Sequence, residues 1–108
     1  MSLTFEWDEE KARENLRKHH GTLEEAKSVY DDPLLWSFPD PDHSEREERF
    51  VNIGCSARGR VLVVIHTERN GRLRLISCRK ATRSERRAYE EGTRWALAGC
   101  GERYASRI

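Results

Sequence analysis

No stretch of this chain approaches the roughly 18 consecutive apolar residues of a membrane-crossing helix, so insertion by a helix is not expected. The opening MSLTFEWDEE is acidic and has no apolar core, which argues against a secretory signal and for the cytoplasm. Cysteine is sparse. Cys55, Cys78 and Cys100 are odd in number, widely spaced and without a CxxC pair, so free thiols are expected rather than a disulfide framework or a zinc site. HExxH, GxSxG and a glycine-rich phosphate loop are all missing, which removes the chemistries those motifs serve. Asp40, Asp42 and His43 have a metal-like look, but Pro39 and Pro41 make a turn there sufficient explanation, and no metal or cofactor is expected. Internal repeats and low-complexity segments are lacking too. Apolar residues, at 36%, suffice for one modest core, so the reading is a single domain over 1–92 followed by an extension over 93–108 that is at most partly helical.

What the chain does have is charge, and it is unevenly placed. Residues 1–48 hold 14 acidic and 6 basic side chains, whereas 49–108 hold 5 acidic and 14 basic. A near-neutral total thus hides an acidic half and a basic half. That asymmetry fits either a polyanion-binding face or neutralisation of one half by the other across the fold.

The basic half is built around one short-range signal. Apolar-rich runs over 61–67 and 73–78 flank Asn70-Gly71, and both residues of such a pair accept the positive φ of a type I′ hairpin turn. Thr82-Arg83-Ser84-Glu85 follows as a capping box that opens a helix over 83–91, with a further turn over 93–98 before Gly99-Cys100-Gly101 breaks it. A two-residue loop pairs Thr67 with Arg74 and Leu62 with Arg79; a three-residue loop shifts that register and turns one strand's side chains to the other face. The sequence leaves this open, and with it whether Arg79 or Lys80 shares a face with Arg69.

Upstream, Phe5 and Trp7 suggest a short strand. Asp8 caps a helix over 9–20, with Ala12 and Leu16 on one face, cations in the last turn and Gly21 closing it. Thr22-Leu23-Glu24-Glu25 is a second capping box, for a helix over 23–31 that buries Leu23, Ala26 and Tyr30. Strands over 34–38 and 49–55 come next. Helices first and then a run of strands indicates an α+β fold with an antiparallel sheet of four to five strands and a C-terminal helix.

Phe5-Glu6-Trp7-Asp8, Lys18-His19, Glu24-Glu25-Ala26 and Asp31-Asp32-Pro33 resemble the opening of the BrnT toxins. Glu48-Arg49, Gly54, Thr67-Glu68-Arg69, Ile76-Ser77, Arg79-Lys80-Ala81-Thr82 and Glu85-Arg86 resemble the rest of that pattern, which covers about residues 5–91. The resemblance implies a RelE-like fold, two helices on a curved antiparallel sheet. It implies a metal-independent ribonuclease that halts translation and is neutralised by a BrnA-type ribbon-helix-helix antitoxin, with DNA engaged only through that antitoxin. The assembly is left between a homodimer and a toxin–antitoxin heterotetramer. Three departures stand out: His20 where the pattern usually has glycine, Cys78 in place of a small residue, and the tail over 93–108.

RNA can be cut without metal when its 2′-hydroxyl attacks the adjacent phosphorus. The protein then supplies a base, charge for the phosphorane and an acid for the leaving 5′-oxygen. Arginine suits the second task, since its planar fork grips two phosphate oxygens and stays charged. Arg79 and Arg49, supported by Arg69, are the candidates for it; the structural alternative for each is a surface or ion-pair role. His19 is the acid/base candidate, or simply a helix-end cation. Tyr89 could stack or transfer a proton, but more often such a tyrosine anchors a helix in the core. Lys18, Arg74, Lys80, Arg83 and Arg86 complete the expected RNA-binding set. The competing functions are a non-catalytic module that grips RNA or an antitoxin with the same surface, and a purely structural dimerisation subunit.

Overall fold

The computed structural model describes residues 3–40 and 47–97, without the side chains of 93–97. Its elements are β1 (Phe5–Glu6), α1 (Glu9–His19), α2 (Leu23–Val29), β2 (Trp36–Pro39), β3 (Arg49–Cys55), β4 (Val61–Arg69), β5 (Arg72–Lys80) and α3 (Arg83–Leu97). Local chemistry starts the helices as read. Asp8 accepts from the Glu10 and Lys11 amides, and Thr22 and Thr82 accept from the amides of Glu25 and Glu85. The C-terminal helix does not stop at Glu91 but runs on through Gly92 to Leu97. The expected break at Gly99-Cys100-Gly101, and Asp42 and His43, lie outside the described residues.

The sheet has the order β1-β5-β4-β3-β2. Strands β2 to β5 form the expected antiparallel meander, while β1 joins the far edge parallel to β5, Phe5 beside Leu73 and Glu6 beside Arg74. The sheet is therefore mixed, because the chain reaches β1's edge before either helix and no hairpin links it to β5. One face carries α1 and α2 over Leu62, Val64, Leu75 and Cys78, packed with Leu23, Ala26 and Val29. The other carries α3, whose Tyr89 packs with Ile53 and Val63.

Two readings of α1 need correction. Leu16 is largely exposed, and the buried residue on this helix is Asn15. Its amide group donates to the carbonyls of Cys78 (2.7 Å) and Gly21 (2.9 Å) and accepts from the Cys78 amide (2.9 Å), so helix and strand are joined by a saturated polar contact. Nor does Gly21 close the helix. His20 takes the left-handed conformation, φ 56°, and its amide donates to the Leu16 carbonyl. Gly21 instead lies close against β5: a Cβ there would stand 3.3 Å from the Cys78 carbonyl oxygen, a tight contact.

Candidate nucleic-acid interface

Asn70 and Gly71 adopt φ 52° and 76°, so the hairpin has the two-residue loop, and Thr67 pairs with Arg74 as that loop requires. The pairing then slips. His66 faces Leu75, Ile65 faces Ser77, and Ile76 is left over as a bulge. Beyond it Leu62 pairs with Lys80, not Arg79, and Val63 pairs with Arg79. Residues opposite one another in an antiparallel pair share a face. Arg79 is consequently on the α3 face with Val63, and Lys80 on the α1–α2 face with Leu62.

The same register assembles a basic surface. Arg49, Thr67 and Arg74 form one row across β3, β4 and β5, and Arg69 and Arg72 form the next. Arg79 lies on this face near the start of α3. Thr67 is buried within its row, its hydroxyl donating to the Glu48 carbonyl at 2.7 Å. Val51, Ile65 and Ser77, all half-buried, lie between that row and the part of the face packed by Tyr89. This is the arrangement that strand alternation alone could not supply, because the bulge resets it.

The arginines are not bare. Arg69 binds Glu47 with Nε at 3.0 Å and Nη2 at 2.7 Å. Arg74 and Arg72 reach Glu6 at 3.0 and 3.5 Å. Arg79 binds Glu85 with Nη1 at 2.8 Å and Nη2 at 3.0 Å. The Arg69 guanidinium holds the Glu47 carboxyl below the usual carboxylate range, and Arg74 does the same to Glu6. Arg79 pulls Glu85 down to about 2, and Glu85 in return raises Arg79. Glu6 and Glu47 from the first half of the chain thus meet arginines from the second, Glu85 serves Arg79 from within the second, and about half of Arg69 and two-fifths of Arg79 stay exposed.

The remaining expected site residues divide by position. Lys18 and His19 are exposed at the end of α1, which packs on the opposite face, so the structure does not bring them to the arginine rows. Lys80 is turned to that opposite face as well. Arg83 and Arg86 are exposed on α3, with Arg86 4.0 Å from Glu90. Tyr89 is buried and donates a very short hydrogen bond to Asp32; burial, then that carboxylate, raises its phenol. This is the anchoring role and leaves little of the ring for a substrate.

Asp32 is a key residue that nothing in its sequence surroundings marks, since its partners Cys55 and Tyr89 are distant. Besides Tyr89 it accepts from the amides of Leu34 (2.9 Å) and Cys55 (2.8 Å), tying α3, the α2–β2 loop and β3 together. Gly54 permits this closeness, since a Cβ there would lie 2.9 Å from Val29 and Leu35 carbons and 3.2 Å from Asp32 Oδ2. His66 is buried, and burial lowers its imidazole below the usual range; its Nδ1 lies 2.8 Å from both the Asn52 amide and the Tyr30 hydroxyl. Cys55 and Cys78 are free, and burial pushes Cys78 up to about 11. Among the described residues no cluster of histidine, cysteine, aspartate or glutamate gathers to hold a metal, and no helix is long and apolar enough to cross a membrane.

Comparison with known proteins adds two findings. The family model described as "Ribonuclease toxin, BrnT, of type II toxin-antitoxin system" matches residues 7–85. The crystal structure of the Brucella abortus ribonuclease toxin, BrnT, superposes with a TM-score of 0.57 at 21% identity, covering 76% of this chain and 100% of that one. No curated protein matches the sequence.

Proposed function

Since this chain belongs to the BrnT family of ribonuclease toxins of type II toxin–antitoxin systems, we propose that it cleaves RNA without metal on the face that carries Arg49, Arg69, Arg74 and Arg79. The observation behind this is the Ile76 bulge, which turns Arg79 to the same side as the other three. In this reading the RNA 2′-oxygen attacks the adjacent phosphorus and the P–O5′ bond breaks. One fragment ends in a 2′,3′-cyclic phosphate and the other begins with a 5′-hydroxyl, the proton lost at the 2′-oxygen being matched by one gained at O5′. Arg79 and Arg49 neutralise the phosphorane as negative charge gathers on its oxygens. Arg69 and Arg74 hold flanking phosphates, and Arg83 and Arg86 extend the track along α3. His19 and Tyr89 are given no proton transfer, the first because of its side of the sheet and the second because of its burial.

Further elements belong to the same proposal, supported by the family description. The cleavage halts translation in the cytoplasm. A BrnA-type ribbon-helix-helix antitoxin neutralises the protein and carries any DNA contact, in a homodimeric or heterotetrameric assembly. A second reading is favoured by the ion pairs on Arg69, Arg74 and Arg79 and by the place of His19 on the helix that packs on the other face of the sheet: the surface binds RNA or the antitoxin without cutting. Incubation of the purified protein with single-stranded RNA in EDTA separates the two. The nuclease reading expects 5′-hydroxyl fragments that vanish in Arg79→Ala. The binding reading expects intact RNA and a salt-sensitive mobility shift.

A further inference from the structure

The arginines on this face are held in different ways. Arg69 offers Glu47 its side edge, Nε–H with Nη2–H, which is an edge a phosphate would use. Arg79 instead offers Glu85 its end edge, Nη1–H to Oε1 and Nη2–H to Oε2, and its Nη1 also donates to the Lys80 carbonyl at 3.2 Å. Those bonds use both hydrogens of Nη1 and one of Nη2. The side edge of Arg79 is left, and no described residue takes it. Glu85 is fixed in its turn, because Oε1 also accepts from the Thr82 amide at 2.7 Å while Thr82 Oγ1 accepts from the Glu85 amide at 3.2 Å. A continuous set of bonds therefore runs from the first turn of α3 through Glu85 to the Arg79 guanidinium.

We propose that Glu85 is a positioning residue for RNA cleavage: it clamps Arg79 by its end edge so that the side edge is aimed at two oxygens of the reacting phosphate. This rests on the ribonuclease reading above and adds to it the orientation of the key cation. Phosphate then joins Arg79 through its side edge without displacing the carboxylate, whereas at Arg69 Glu47 already holds that edge. The clamp persists through neutral pH, since Arg79 keeps Glu85 ionised down to about 2.

The test compares full-length wild type, Glu85→Gln and Arg79→Ala. Binding is measured with a 2′-O-methyl RNA oligonucleotide, which cannot be cut, and cleavage with the matching RNA at saturation. Glutamine keeps an acceptor for the Thr82 amide, so the helix start survives. The expected result is unchanged or tighter binding with a saturated cleavage rate lower by roughly tenfold or more, the scale on which a misaimed catalytic group acts. Nitrogen-15 NMR of the arginine side chains reads the clamp directly. Arg79 Nη signals should be distinct in wild type, merged in Glu85→Gln, and still distinct when the 2′-O-methyl RNA shifts Arg79 Nε–H. A Glu85→Gln protein that cuts as fast as wild type, or faster, overturns the proposal by making Glu85 a cap or a brake; so does loss of the distinct Nη signals when RNA binds. If wild type itself leaves RNA intact, the ribonuclease reading fails and the role of Glu85 in cleavage fails with it, while the NMR result still shows whether the clamp forms.

Discussion

His20 leaves α1 in the left-handed region, φ 56° and ψ 22°, where a Cβ crowds the following carbonyl. The penalty for a residue other than glycine is about 1 kcal/mol. The pattern this sequence resembles has glycine at that position, and the geometry supplies the reason. His20→Gly should raise stability by about 1 kcal/mol, seen as a higher urea midpoint at unchanged slope. A midpoint that falls would mean the exposed imidazole contributes more than the backbone strain costs. Asn15 teaches the opposite lesson about single residues. Nothing near it in sequence marks it, because its partners at Cys78 lie on β5, and an asparagine inside a helix pattern reads as a solvated position.

Elements were legible in proportion to how local their causes are. The N-caps at Asp8, Thr22 and Thr82, the bounds of β3 and the Asn70-Gly71 turn rest on neighbouring residues, and each forms as read. The parallel docking of β1, the Ile76 bulge and the Tyr89–Asp32 anchor rest on packing between distant segments, and periodicity cannot reveal them. The two capping boxes show the same division. Glu85 returns to the Thr82 amide, whereas Glu25 is drawn away to Arg60 and Ser56. Helix α3 should therefore carry an acid-sensitive contribution at its first turn. Glu85 has a folded pKa of about 2 against an ordinary 4.5, so between those values the unfolded chain binds more protons. The stability is present above pH 4.5 and is lost as the pH falls through about 2. Thermal melts across that window should show a smaller loss for Glu85→Gln than for wild type, and equal losses would mean the Arg79 pair forms too weakly to matter.

At the scale of the whole molecule, the acidic and basic halves of the sequence do two things at once. Glu6 and Glu47 partly neutralise Arg72, Arg74 and Arg69, and the sheet nonetheless gathers those arginines with Arg49 and Arg79 on one side. The Arg69–Glu47 pair is exposed, and exposed pairs contribute little to stability, so phosphate can compete for that cation. Which side is the working one could not be read from composition, since alternation around an unrecognised bulge gives the wrong face for Arg79.

Arg79 and Lys80 are neighbours in sequence on opposite faces of the sheet, and comparing their alanine variants tests the account most directly. With single-stranded RNA in EDTA, Arg79→Ala should lose cleavage, whereas Lys80→Ala should cut at close to the wild-type rate. Equal losses, or a greater loss in Lys80→Ala, would place the reaction on the α1–α2 side and contradict the assignment of the arginine face.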